Sequence, residues 1–389
     1  MPPVGEVPAA FPFEALRRAP DVEAPGLVAA DAADRLILDE SALARAAAAP
    51  GEIVVIGDGY GALALGAAWG LAAGADLRGA DRIRVHQDAV MGERAAAANA
   101  ARLDLAGTTA PHATLDAALV ADARVVLLRL PRSLDALRDM GGLIAAHAAP
   151  DVAVFAGGRI KHMTVAMNEV LGAFFTRVDV THARQKSRVL IARGPHDGVD
   201  PTPAAARIDG LELRAYGGTF GGATLDAGTR LLLTHLPSEL PGGSPEDPWL
   251  DLACGNGVIG AWLATRHPSA HVVSSDPSAS AVASARATMR ANGVEHRVRV
   301  ERTDGLEGRP DASASLITLN PPFHSGAAVT DQIAPRLFAD AARVLRPGGE
   351  LWCVWNSPLR YRTALERLVG PTRQVARDPR FTVTVTTRR

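Results

Sequence analysis

The stretch "PWLDLACGNGVIGAWLA", residues 248–264, is an apolar run that reaches Asp251, turns through Gly255 and Gly257, and opens a helical pattern. This is the order of a parallel strand, a tight turn and a crossover helix. Small residues in such a turn let the backbone approach a ligand and present amides at the helix N-terminus. Alone, the turn is weak evidence for any particular ligand.

Its neighbours extend the pattern. "VVSSD" ends a second strand at Asp276, about 21 residues past Gly255, where an acidic side chain accepts from ribose hydroxyls. "RVRVE" is followed by Thr303 and Asp304, where a carboxylate can meet an adenine amine. A fourth strand leaves through "LITLNPPFHSG", residues 316–326, with Asn320 held by two prolines. Each has a plain reading as turn chemistry. Four at successive strand ends, where doubly wound sheets bind ligands, do not.

The first half carries a similar series: "GEIVVIGDGYGALALGAA" (51–68), "RIRVHQDAVMGERAAAANAARL" (82–103), "ARVVLLRLPRS" (123–133) and "DVAVFAGGRI" (151–160). Short apolar strands alternating with Ala-rich helices predict an α/β chain of two tandem doubly wound, Rossmann-like domains from an internal duplication. The expected boundaries are residues 1–195, a Pro- and Gly-rich linker at 196–208, and 209–389. Asp58-Gly59-Tyr60-Gly61 imitates a cofactor loop, but Leu130-Pro131-Arg132 is read as standing where Asn-Pro-Pro is needed. The first domain is therefore expected to be a degenerate copy, kept for packing or positioning.

Composition sets bounds. The 389 residues are 47% hydrophobic and 21% charged, as in a packed globular chain. A net charge of −1 gives no global sign of a nucleic-acid partner. Two cysteines, Cys254 and Cys353, are too few for a disulfide framework or a thiolate metal site, and no metal is expected. The chain starts without a charged-then-apolar leader and has no run of 18 apolar residues, so a cytoplasmic protein is expected. The densest basic run, Arg184, Lys186, Arg188 and Arg193, is a candidate RNA phosphate contact, with a solvated face as the plainer reading.

The ordered set resembles class I S-adenosylmethionine-dependent methyltransferases. "NPPFH", with Asn320, Pro321, Pro322, Phe323 and His324, resembles the ribosomal RNA guanine-N2 methyltransferases, and "CGNGVIG" and "TDQIA" are closer to their large-subunit branch. The resemblance spans most of the chain. It implies S-adenosyl-L-methionine as cofactor and a guanosine of 23S ribosomal RNA as substrate, in protein-free or partly assembled subunits. It also implies a catalytic corner at Asn320, Pro321, Pro322 and Phe323, with His324 a candidate RNA contact. The implied cofactor positions are Phe220, Asp226, Gly228, Asp251, Ala253, Cys254, Gly255, Asn256, Gly257, Asp276, Pro277, Thr303, Asp304 and Asn320. Ala253 departs from the usual loop glycine. The enzyme is expected to act as a monomer. Methylation of another planar nitrogen, in a protein glutamine or a small molecule, and a non-catalytic RNA-binding or assembly role are the alternatives.

Overall fold

The computed structural model describes residues 10–72, 82–322 and 327–389; Phe323 and His324 lie outside the described residues. The chain divides into two compact units, Met1–Thr202 and Pro203–Arg389.

The first unit contains β1 (Ile53–Ile56), β2 (Ile83–His86), β3 (Thr109–His112), β4 (Val125–Arg129), β5 (Ala153–Arg159), β6 (Phe175–Val180) and β7 (Ser187–Pro195). Its helices are α1 (Ala32–Glu40), α2 (Ala42–Ala46), α3 (Ala62–Ala72), α4 (Val90–Arg102), α5 (Ala117–Val120), α6 (Leu134–His147) and α7 (Ala166–Gly172). The strands form one sheet in the order β3-β2-β1-β4-β5-β7-β6. The first five run parallel, β7 runs antiparallel to them, and β6 pairs antiparallel with β7. Both faces of β1 are apolar for a reason: Ile53 and Val55 pack with Leu36, Ile37 and Leu63 on one side. Val54 and Ile56 pack with Leu137, Leu143 and Leu171 on the other.

The second unit opens with β8 (Ala204–Ile208) and β9 (Leu211–Ala215), an antiparallel pair. The last five residues of the segment read as linker are thus a strand. Then come α8 (Ala227–His235), β10 (Trp249–Leu252), α9 (Val258–Arg266), β11 (Val272–Asp276), α10 (Ala279–Ala291) and β12 (Val298–Arg302). The chain continues through β13 (Ala314–Leu319), α11 (Ala327–Val344), β14 (Leu345–Asn356), α12 (Arg362–Leu368), β15 (Thr372–Arg377) and β16 (Phe381–Thr387). Its sheet order, β12-β11-β10-β13-β14-β16-β15, repeats that of the first unit strand for strand.

That repeat corrects one sequence reading. Ile56 of β1 lies beside Leu128 of β4, as Leu252 of β10 lies beside Leu319 of β13. The register therefore aligns Arg129-Leu130-Pro131, not Leu130-Pro131-Arg132, with Asn320-Pro321-Pro322. Arg129 is at the position of Asn320. Its guanidinium reaches Asp31, the N-cap of α1, at 3.0 Å, and Asp34 at 3.1 Å. Nearby, the buried Asp58 accepts from the amides of Gly61, Leu63 and Ala64, which fills the turn that imitates a cofactor loop.

Burial raises the Asp34 carboxyl to about 6, against the attraction of Arg129. Arg129→Met should destabilise this unit by about 3 kcal/mol near neutrality, because it strands two partly buried carboxylates. Below the raised pKa Asp34 is mostly protonated in the folded state and needs the cation less. The loss should therefore be smaller at pH 5 than at pH 7, read by hydrogen exchange of β4 amides at both values. Equal losses at the two pH values would contradict this account.

Candidate active site

The turn between β10 and α9 is built from left-handed residues: Ala253 at φ 59°, Gly255 at 54° and Gly257 at 79°. Alanine in that region is strained by about 1 kcal/mol. Glycine at 257 is set by packing: an added Cβ would lie 2.8 Å from Ala285 Cβ and 2.9 Å from Met289 Cε. At Gly255 an added Cβ would meet nothing within 4 Å, so the open side of the turn faces free space. Cys254 is buried, and burial followed by repulsion from Asp276 and Asp251 holds its thiol well above the usual range. It is a packing residue with no thiolate to offer.

Asp251 is fully buried behind this turn. Its Oδ2 accepts from Gly260 N at 3.0 Å and Ser274 Oγ at 3.4 Å, and burial raises its carboxyl to about 7. It joins β10 to α9 from below. Asn256, also buried, donates from Nδ2 to the carbonyls of Gly222 and Thr224, both at 2.9 Å. That amide fastens the segment before α8 onto the turn. The same segment is tied to α10, where Thr219 Oγ1 lies 2.6 Å from Ser284 Oγ. Between these ties Phe220 stands 65% exposed.

Asp276 closes β11 at the rim of the turn. Its Oδ2 accepts from Gly255 N at 3.0 Å, and its Oδ1 accepts from Ser278 N at 2.9 Å, across Pro277. Thr303 N donates to the Asp276 carbonyl at 3.1 Å, setting the next strand end alongside. Asp304 is paired with Arg336 of α11, a partner the sequence reading did not find.

At the tip of β13, Asn320 donates from Nδ2 to Asp226 Oδ2 at 2.8 Å and to Thr229 Oγ1 at 2.9 Å. Asp226 is the N-cap of α8 and also accepts from the Gly228 and Thr229 amides. Asn320 Oδ1 is buried with no partner among the described residues. Pro321 is buried and Pro322 exposed. Each proline also restrains the residue before it, so the corner is stiff. The strand ends thus bring together Gly255, Asp276, Asp226 and Asn320, whereas Asp251 and Asn256 serve the turn from behind and beside it. Thr229 was missed. Its signal was faint: it stands three residues after the α8 cap, as Asp34 stands after Asp31 in the first half.

The fold and the site together are those of a class I methyltransferase. A "Methyltransferase small domain" description matches residues 210–385, and an "RLMG N-terminal domain" description matches residues 8–196. A Streptomyces avermitilis protein named ribosomal RNA large subunit methyltransferase G is 34% identical over 380 residues, covering 95% of each chain. A Pseudomonas paraeruginosa protein of the same name is 33% identical over 382 residues, covering 96% of this chain and 98% of its own. Among solved structures, the T. thermophilus 16S rRNA N2 methyltransferase in complex with AdoMet and guanosine superposes with a TM-score of 0.71. At 22% identity over 92% of both chains, that is a likeness of fold. The chain belongs to the ribosomal RNA large subunit methyltransferase G family.

The two glycines of the turn should fail differently. Gly257→Ala should cost about 2 kcal/mol, because α10 must move to admit the methyl, and should lower the urea midpoint. Gly255→Ala should cost roughly 1 kcal/mol of backbone strain and chiefly weaken S-adenosylmethionine binding in calorimetry, since its methyl enters the open side.

Proposed function

We propose that this chain methylates the exocyclic N2 amine of a guanosine in large-subunit ribosomal RNA, with S-adenosylmethionine as methyl donor. One observation carries the reading: a buried acceptor without a partner among the described residues, Asn320 Oδ1, stands at the strand end next to the open glycine turn. Residues present fit the donor. Gly255 leaves the cradle free of side chain, and the Asp276 carboxylate stands at its rim, joined to the Gly255 amide, as the acceptor we assign to the ribose hydroxyls. Asp304, Pro277 and the exposed Phe220 are the further contacts we assign to it.

When bound, S-adenosylmethionine supplies an electrophilic methyl group. The chain's own task is to present a weak nucleophile. A guanine amine delocalises its lone pair into the ring, so it needs to be held and its growing positive charge offset. Asn320 Oδ1 and the carbonyl preceding Pro322 can accept both amine hydrogens. Pro321 and Pro322 fix those acceptors before the base arrives. The methylated amine is acidic and gives up its proton without a strong base. Phe323 is assigned to stacking on the extruded base, worth roughly 1–3 kcal/mol.

The first unit is assigned to RNA positioning. Of the basic run, Arg184 is paired with Asp39 and Arg193 with Asp179. Lys186 and Arg188 remain, at the start of β7, where Arg188 lies opposite Gly158 and Arg159 opposite Ser187. Exposed His162 sits close by; its pKa is lowered by desolvation and then by Arg132, Lys161, Arg129 and Arg159. Lys161 and Lys186, the chain's two lysines, both belong to this rim. Phosphates are its fitting partner. The reading places the activity in the cytoplasm, on protein-free or partly assembled large subunits, by a monomer; the names of the relatives support the ribosomal RNA substrate.

Two measurements test this. Asn320→Ala should slow single-turnover methylation of 23S rRNA by roughly 100- to 1,000-fold with little change in cofactor affinity. 16S rRNA and a glutamine-bearing protein, run alongside, should stay unmodified. Near wild-type guanosine methylation by that variant would remove the corner from the chemistry. Replacing Lys161, Lys186 and Arg188 together with Gln should weaken rRNA binding and reduce its salt slope by about 2–3, leaving cofactor affinity intact. An unchanged slope would refute a phosphate-binding rim.

A further inference from the structure

The position of the Asn320 amide is forced by its neighbours, and this deepens the proposed function while resting on it. We infer that Asp226 and Thr229 are positioning residues that fix which end of Asn320 faces the substrate amine, rather than contacts of the methyl donor. Asp226 Oδ2 has no hydrogen to give, so the group 2.8 Å from it must be the Asn320 NH2. Thr229 Oγ1 spends its hydrogen on Asp226 Oδ2 at 2.8 Å and so meets the same NH2 as an acceptor, at 2.9 Å. Both amide hydrogens are taken. Turning the amide over would set oxygen against oxygen at Asp226. Oδ1 is therefore left as the buried acceptor that no described residue partners.

Asp226 itself has little left for a ligand. Its carboxylate already takes the Gly228 amide, the Thr229 amide, the Thr229 hydroxyl and the Asn320 NH2. Its charge also has an effect at a distance. A hydrogen bond to a carboxylate draws the amide's electron density toward Oδ1, which strengthens that oxygen as an acceptor while the amine gains positive charge.

The first unit supplies an internal control. Asp31 and Asp34 hold Arg129 as Asp226 and Thr229 hold Asn320. The contact from helix cap to strand tip therefore belongs to the fold. What differs is the group it holds: a guanidinium has donors and no acceptor, whereas an amide has one of each. Only the second unit turns the contact into an aimed oxygen.

The test is a double-mutant cycle on the full chain. Asp226→Asn keeps an N-cap of equal quality and Thr229→Val keeps the shape, so both should fold. Each should lower the single-turnover methylation rate roughly 10- to 100-fold, as for loss of a partner that orients a reacting group. S-adenosylmethionine affinity by calorimetry should be unchanged, and Thr229→Ser should restore most of the rate. In an Asn320→Ala background neither substitution should slow the reaction further. Additive losses in that background, or lost cofactor affinity with the rate intact, would overturn the inference and leave the proposed function standing. Full activity of Asn320→Ala alone would instead overturn the proposed function, and this inference with it. If Asp226→Asn does not fold, Thr229→Val and its serine rescue decide the matter.

Discussion

In each unit a helix N-cap carboxylate grips the side chain at the tip of the fourth strand: Asp31 with Arg129, and Asp226 with Asn320. An open parallel sheet has its free strand ends on one edge, and ligands gather there. The grip decides what that edge offers. Where the strand tip is an arginine, the charges neutralise one another and the edge closes on itself. Where it is asparagine, the nitrogen half of the amide is anchored and the other half is a buried oxygen with no partner among the described residues. One side chain thus divides the labour between two copies of the same fold.

The second unit carries the costs expected of a working site. Asn320 Oδ1 and, behind the turn, Asp251 Oδ1 are buried without partners among the described residues, each costing about 1–3 kcal/mol. Ala253 sits in the left-handed region. These defects lie along the ends of β10 and β13, adjacent strands. The first unit has no comparable gap at its own corner: Asp58 takes three amides, and Arg129 answers Asp31 and Asp34. Strain retained at one corner and satisfied at the other is the physical difference between the two copies.

Much of this could be read in the sequence, for definite reasons. Strand alternation, glycine turns and the repeated order are local signals, so the doubled α/β fold and its ligand edge were legible. Local signals also misled. A one-residue slip hid Arg129, because an arginine ending an apolar strand looks like solvent chemistry until β1 fixes the register. Asn256 looks like a ligand residue in a loop, yet its amide ties down Gly222 and Thr224, over 30 residues earlier. The link from Asp226 to Asn320 spans 94 positions. No periodicity encodes a pairing of that range; only the folded sheet brings it about.

An asparagine at position 129 would not by itself give the first unit the corner of the second. Arg129 feels the charges of Asp31, Asp34 and Asp58 together, and burial already raises the carboxyl of Asp58 as well as that of Asp34. An amide in its place would remove the cation that the three crowded acidic groups share and leave Asp31 with Arg159 alone. They would be driven to take up protons or to part. Asp58 would still occupy the amides of Gly61, Leu63 and Ala64 at the start of α3. In the second unit the equivalent place holds Cys254, too small and too apolar to fill the turn. The two substitutions support each other: the carboxylate that blocks the turn is tolerated because the arginine is near, and the arginine is held because the carboxylates are there. The first unit therefore differs from the second by a coupled set of charges, and changing one member alone breaks what the other stabilises.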